Sequence, residues 1–271
     1  MLQLSKPKKH LNWTAIISIT LVHILSLLAP FYFSWSGFFV FLFLYWLTGC
    51  IGITLCFHRL LTHRSFKTPL WLEYSMIVIG ALALQGPPSQ WVGDHRMHHK
   101  NSDHDQDPHT PNHGFNWAHI FWLFFENKSN LFAARDLMKN PFHRFLNRWF
   151  WIFQLPLIGL LYYLGGFSWV VWGVGVRTAF VYHITWFINS ASHTWGYQTY
   201  STGDRSTNLW WLALISFGEG WHNNHHACQT SAKHGFTWWE FDMTYWIIQL
   251  LALLGLAWDI RMPKEHEMTK K

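Results

Sequence analysis

Charge is the first thing this chain lacks. Only 13% of its residues are Asp, Glu, Lys or Arg, about half the share typical of a soluble domain. Half are hydrophobic, so lipid rather than water is the expected solvent for much of the surface. Acidic residues are scarce as well: 14 Asp and Glu stand against 20 Lys and Arg, and 19 His outnumber them. Cysteine is nearly missing. Cys50, Cys56 and Cys228 cannot build a disulfide framework or a CxxC pair. Two of them lie in or beside an apolar span, where inert packing is expected. No dense basic run occurs apart from Lys6, Lys8 and Lys9, which argues against a nucleic-acid partner. A cleavable leader is also missing: the first apolar stretch is too long and has no small-residue cleavage site, so it reads as a true span. No low-complexity segment or linker interrupts the chain, and one domain over residues 1–271 is expected.

What the chain has in excess is Trp, His and long apolar runs. Its 20 Trp suit the membrane–water interface. A helix needs about 20 apolar residues to cross a bilayer core of roughly 30 Å. Trp13 to Phe33 and Gly37 to Phe57 fit, joined by an uncharged turn. A second hairpin runs from Trp149 to Asn189 and bends at Gly165 and Gly166. The basic residues lie outside both hairpins: Lys6 to Lys9, Arg59, Arg64, Lys67, Arg96, Lys100, Lys128, Arg135, Lys139, Arg144 and Arg148. The positive-inside rule puts both termini and both long polar segments in the cytosol. Leu70 to Leu84 is short and contains Glu73, so it reads as re-entrant or interfacial rather than crossing. Met243 to Trp258, which contains Gln249, reads as an amphipathic helix on the membrane surface.

The histidines fall into three clusters: His58 with His63, His95 with His98 and His99, and His222 with His225 and His226. On an α-helix, positions i and i+4 lie about 40° apart and i and i+3 about 60° apart, on opposite sides of i. Each HxxHH box therefore presents three imidazoles on one face, one turn below a fork of two, and can grip two neighbouring ions. The spacing of five in the first box puts its imidazoles about 140° apart on an α-helix, which suits ligands of different ions. One first-row ion accepts about four to six ligands. Eight imidazoles call for two ions with a position left for oxygen or water. Imidazole suits Fe, Zn, Cu and Ni alike, so the ligand set alone does not name the metal.

The order HxxxxH, HxxHH, HxxHH resembles the membrane fatty acid desaturases. The wording is closest to the stearoyl-type Δ9 branch: Phe57-His58-Arg59-Leu60 with Thr62-His63-Arg64, Asp94-His95-Arg96 with His98-His99, and Gly218-Glu219-Gly220 before His222-Asn223 and His225-His226. Asn189-Ser190-Ala191-Ser192-His193 is similar to that branch's NSAxH segment. The resemblance covers residues 40 to 242. It implies an all-α integral membrane fold of four transmembrane helices with a cytosolic helical cap that carries the boxes. It also implies two iron ions held by His58, His63, His95, His98, His99, His193, His222, His225 and His226, with Asn189 reaching one iron through water. O2 is the implied oxidant, and the implied product is a cis double bond, at Δ9, in a saturated acyl chain. Gln85 and Trp91 match family positions near the bend of the substrate tunnel.

Headgroup and electron donor follow from details of the same resemblance. Animal acyl-CoA relatives carry Arg where this chain has Gly93, and an Arg pair where it has Asn112-His113. Arginine forks suit CoA phosphates. Without them the chain looks more like cyanobacterial and plastid-type enzymes that act on acyl chains of membrane glycerolipids, although Lys100, Lys128 or Arg135 would also meet a phosphate. No cytochrome domain follows Trp258, so the resemblance implies a separate donor, ferredoxin, and an active site on the cytosolic or stromal side. Metal-bound His usually passes its other N–H to a carboxylate, and Asp94 and Asp107 are expected in that role. His104, His109, His113 and His119 are expected in the cap. His23 and His183, inside the spans, are expected to be buried and hydrogen-bonded. Three other readings stay open: an alkane or carotenoid hydroxylase with similar boxes, a haem cytochrome using His23 and His183, and a metal transporter with ligands near the bilayer midplane.

Overall fold

The computed structural model describes residues 10–126, 130–264 and 268–271; Lys6, Lys8, Lys9 and Lys128 lie outside them. Among the described residues there is no β-strand, only isolated bridges. Asn12 opens α1 (Trp13–Leu27), its side chain accepting from the Ala15 amide. Ser34 does the same for α2 (Trp35–Tyr45) through the Gly37 amide. At Trp46 the helix widens into a π-helix that runs to Thr62. The chain then makes α3 (Leu70–Ala81) and returns through α4 (Pro88–Asn101), which Pro88 starts at a position where its missing N–H costs nothing. A run of short pieces follows, including α5 (Phe115–His119).

Next come α6 (Pro141–Trp149), α7 (Gln154–Val170), a π turn (Val171–Val176) and α8 (Arg177–Ser190). Two stretches are long and apolar enough to cross a bilayer: Trp35–Thr62 and Pro141–His193. The second, of 53 residues, bends at Gly166, whose φ of 63° and ψ of −160° belong to a region that side chains avoid. With 15 residues, α1 rises about 22 Å, short of a hydrocarbon core of about 30 Å.

The remaining helices are α9 (Trp210–Ile215), α10 (His222–Ala227) and α11 (Met243–Leu253). The main core lies between the π-helix, α3, α4, α6 and α11, around Phe57, Leu61, Met76, Ile77, Val92, Leu146 and Ile248. Gly52 and Gly80 let α3 lie backbone to backbone on the π-helix: a Cβ on Gly52 would stand 2.6 Å from the Gly80 Cα. One expectation fails. α11 has no charged residue, and Trp246, Leu250 and Leu253 face outward. An amphipathic surface helix presents a strongly polar face to water; here the outer face has Gln249 among large apolar side chains, and the inner face bonds through Thr244 to Thr54 at 2.7 Å.

Candidate metal centre

Nine imidazoles converge at the inner ends of these elements. His58, His63, His95, His99 and His225 form one group whose ligand atoms all lie within 4.8 Å of one another. His98, His193, His222 and His226 form a second group by the same measure. The groups are neighbours: the His99 and His226 ring centres are 4.6 Å apart. The Nε2 atoms point inward. His225 Nε2 is 2.9 Å from His99 Nε2 and 3.2 Å from His58 Nε2, and His193 Nε2 is 3.0 Å from His222 Nε2.

Helix geometry sorts the boxes. The i and i+4 members of box two, His95 and His99, share the five-membered group, and the i+3 member His98 turns to the other. Box three does the reverse: His222 and His226 join the four-membered group, and His225 crosses over. The first box departs from expectation. His58 and His63 belong to one group, with ring centres 4.7 Å apart. The 140° estimate assumed an α-helix. The segment is π-helical, and the His63 amide donates to the His58 carbonyl at 3.1 Å. In that i to i+5 geometry the two side chains fall on one face.

α10 has only six residues, too few to stand alone. The two asparagines inside its box hold it. Asn208 Oδ1 accepts from the Asn223 and Asn224 amides. Asn223 Oδ1 accepts from the Thr199 and Tyr200 amides. Asn224 donates to the His234 carbonyl and to Glu240.

Carboxylates grip the outer nitrogens. Glu219 Oε2 lies 2.6 Å from His58 Nδ1 and 3.2 Å from His234 Nδ1. Asp107 lies 2.9 Å from His98 Nδ1, Asp103 lies 3.0 Å from His193 Nδ1, and Asp204 lies 2.5 Å from His226 Nδ1. Such contacts fix the ring and the tautomer. Asp94 belongs elsewhere: its Oδ1 accepts from Gln90 and Asn130 at 2.8 and 2.7 Å, and burial pushes its pKa up to about 6 against those two bonds. It lines a cavity beside Gln90, its bonds made to that glutamine and to Asn130 rather than to an imidazole. Asp103, Asp204, Glu219 and His234 were not assigned this role from sequence. Only Asp103 and Glu219 had a local cue: one lies among the histidines after box two, the other in the GEG triplet.

Glu219 is anchored by Arg59, fully buried, which donates to it from Nε and Nη2 and also meets Asp242 at 2.9 Å. Breaking such a buried pair costs about 3–5 kcal/mol. Both glycines beside Glu219 are required by space: a Cβ on Gly218 would stand 2.5 Å from Asp242 Oδ1, and one on Gly220 would stand 2.2 Å from the Ala213 nitrogen.

The donor set suits a transition metal. Burial, and then the mutual charge of neighbouring imidazoles, pulls His63, His95, His99, His222 and His225 well below the ordinary His pKa. They stay neutral and keep a lone pair for a cation. Burial alone would raise Glu219, but His58 and Arg59 outweigh it and hold the carboxyl well below its usual range. His63 Nε2 and His226 Nε2 are buried with no hydrogen-bond partner among the described residues, as free ligand atoms would be.

Two cavities reach this cluster. The outer one, about 410 Å³, runs past Asn12, Ser18, Trp122 and Gln85. The inner one, about 60 Å³, ends among Tyr45, Gly49, Ile53 and Phe217. Trp91, His95, Thr185 and Asn189 line both. At that junction Gln85 donates to Thr185 Oγ1 at 2.7 Å and accepts from Trp91 Nε1 at 2.9 Å. Thr185 completes a triad of which sequence reading named two members. Among the described residues the Asn189 side chain makes no hydrogen bond, and the residue lines both cavities.

The fatty acid desaturase family model matches residues 33–259. The chain belongs to the fatty acid desaturase family. It is 52% identical to the "sn-1 stearoyl-lipid 9-desaturase" of Anabaena variabilis over 96% of this chain and 97% of that protein. It is 48% identical to the chloroplastic "palmitoyl-monogalactosyldiacylglycerol delta-7 desaturase" of Arabidopsis thaliana, over 96% of this chain and 71% of that one. It is 47% identical to the "icosanoyl-CoA 5-desaturase" of Limnanthes douglasii, over 94% and 73%. The protein is thus an oxidoreductase that desaturates fatty acyl chains.

The desaturase keeps its other histidines busy. His23 Nε2 lies 3.1 Å from His183 Nε2, and His183 Nδ1 lies 3.0 Å from His119 Nε2. A metal held between trans imidazoles needs about 4 Å between their nitrogens, so His23 and His183 form a hydrogen-bonded pair rather than a haem clamp. His109 lies beside Asp107 and His98, at ring distance 4.5 Å from the latter.

Proposed function

We propose that this desaturase inserts a cis double bond, at Δ9, into a saturated acyl chain esterified in a membrane glycerolipid, using two iron ions and O2. The carrying observation is the split of nine imidazoles into groups of five and four beside an apolar cavity. His58, His63, His95, His99 and His225 would hold one iron, and His98, His193, His222 and His226 the other, with Asn189 reaching one of them through water. Iron bound there would supply the oxygen chemistry that removes hydrogen from an unactivated chain, which no side-chain base can do.

The protein's own part is positioning. The chain threads the outer cavity, turns at Trp91, held by Gln85 and Thr185, and ends against Tyr45 and Phe217. This course lays its middle against His58 and His95, which line the inner cavity. The apolar walls keep water from the reacting carbons. Glu219, Asp107, Asp103 and Asp204 hold the rings so that each Nε2 stays aimed inward.

We read the fold as one domain with four spans, α1 and α2 forming one hairpin and the two halves of Pro141–His193 the other, with the histidines in a cap on the cytosolic or stromal side. Ferredoxin is the proposed electron donor. For the headgroup, the relative named for stearoyl-lipid is 52% identical and the one named for icosanoyl-CoA 47%, so similarity leans toward lipid. Packing favours lipid: a Cβ on Gly93 would stand 2.4 Å from the Asn130 carbonyl oxygen, which leaves no room there for the arginine of the animal CoA-using relatives.

The test is expression in a host rich in saturated chains, with lipid classes separated before double bonds are located. A Δ9 alkene in glycerolipid is expected. A hydroxylated chain would replace desaturation by hydroxylation, and conversion confined to the CoA pool would move the substrate to acyl-CoA.

A further inference from the structure

The two imidazole groups differ in what covers them. Glu219, behind the five-membered group, has buried neighbours on both sides, Gly218 and Gly220, and its second oxygen is taken by Arg59. The carboxylates behind the four-membered group sit in loops whose adjoining residues face solvent. Asp204 lies between exposed Gly203 and Arg205, Asp103 precedes exposed His104, and Asp107 follows exposed Gln106. The two loops are tied together: the Arg205 amide donates to Asp103 Oδ2 at 2.5 Å, and Arg205 Nη1 donates to Asn112 Oδ1 at 3.2 Å. From His193 and His226, one carboxylate and one loop lead to the surface.

That surface has a sign. Asp103 and Asp204 turn their charge inward onto imidazoles. Arg205 turns outward, and among the described residues no carboxylate side chain pairs with it. Thr269, Lys270 and Lys271 run beside Thr199, Tyr200 and Ser201, the segment that leads into this loop: Ser201 donates to the Thr269 carbonyl and Lys271 to the Thr199 carbonyl. Lys270 is exposed, and Lys271 Nζ donates to the neutral Gln198 Oε1. Lys100, also exposed, lies in the last turn of α4, one residue beyond His99. Exposed Asp105 is the opposing side-chain charge on the adjoining loop. The other basic face, beside His63, is partly neutralised: Arg64 and Arg96 share Asp136, and Lys67 pairs with Asp259.

We propose that the face around Arg205, Lys270 and Lys100 docks an acidic iron–sulfur protein, and that electrons enter the centre from this side, where Lys100 adjoins His99 and the Asp204 loop backs His226. The inference rests on the desaturase function above. Removing two hydrogens from the chain and reducing O2 to two waters requires two further electrons and two protons. A [2Fe–2S] protein gives one electron per docking and is itself oxidised, so two dockings serve each double bond. Tunnelling falls steeply with distance, which favours the side where one loop separates metal from partner. Opposite charge steers such an encounter and makes it sensitive to salt.

The test uses the whole chain in detergent with a plant-type [2Fe–2S] ferredoxin. Binding is measured first, in low and high salt, with the metal-free protein, which separates docking from catalysis. Lys100→Glu with Lys270→Glu is expected to weaken binding about tenfold at low salt and to flatten its salt dependence. Arg135→Glu, beside Arg64 on the other face, is expected to change nothing. In the iron-loaded enzyme the double variant should raise the KM for ferredoxin, while turnover driven by reduced methyl viologen stays at the wild-type rate. Unchanged binding by the double variant, or weakening by Arg135→Glu alone, overturns the docking site. Failure of methyl viologen to drive wild-type desaturation would instead strike at the desaturase reading itself.

Discussion

Glu219 carries two imidazoles on one oxygen and a guanidinium on the other. Such outer contacts typically tune metal affinity or activity by about 10–100-fold. Glu219→Gln keeps the size but loses the charge facing His58, and iron per chain should fall by a factor in that range when purified protein is assayed at limiting iron. Asp94→Asn should leave iron content unchanged, because Asp94 bonds Gln90 and Asn130 and not an imidazole. Equal loss in both variants would mean that the carboxylates have been assigned wrongly. The contrast marks what a sequence discloses. Box spacings of three and four are local, and a helix reads them directly. Asp94 adjoins His95 in sequence, but adjacent residues on a helix point about 100° apart. The partner of His226 is 22 residues away and that of Arg59 is 160 away. No periodicity links residues so far apart; the fold alone brings them together.

At the scale of elements, the π-helix decides which group His63 joins. Its wider turn lets residues five apart share a face. Hydropathy finds the apolar run but is blind to whether it winds as α or π, so the span was legible and the pairing of His58 with His63 was not. An alanine inserted between Leu60 and Leu61 sets His63 six positions after His58 and turns it off the face that residues five apart share. The expected result is loss of iron from the five-membered group. A matching insertion between Lys67 and Thr68, beyond the box, should keep both irons, as counted by metal analysis per chain. If the first insertion also keeps full iron, His63 is not a ligand. The bend at Gly166 was readable because paired glycines inside an apolar run have few other uses. How apolar the outer face of α11 is was not, since Gln249, which does face outward, stands there among Trp246, Leu250 and Leu253.

For the whole molecule, convergence constrains topology. His63 precedes α3 and His95 follows it, yet both belong to one group. The chain between them must leave and return on the same side, and α3, with 12 residues, spans only about 18 Å. In the proposed four-span topology the tip of the second hairpin is the opposite pole: Tyr163 is 85% exposed and stands three residues before the Gly166 bend. Labelling in sealed vesicles tests this directly. The three native cysteines are buried, so background is low. Single cysteines at Lys67 and at Lys100, both exposed, should react alike with an impermeant thiol reagent, since they flank the α3–α4 excursion. A cysteine at Tyr163 should show the opposite accessibility. If Lys67 and Lys100 differ, α3 crosses the membrane and the shared histidine group is impossible. If Tyr163 reacts from the same side as both, the Pro141–His193 segment does not span as a hairpin, and the cap would have lipid on the face now assigned to water.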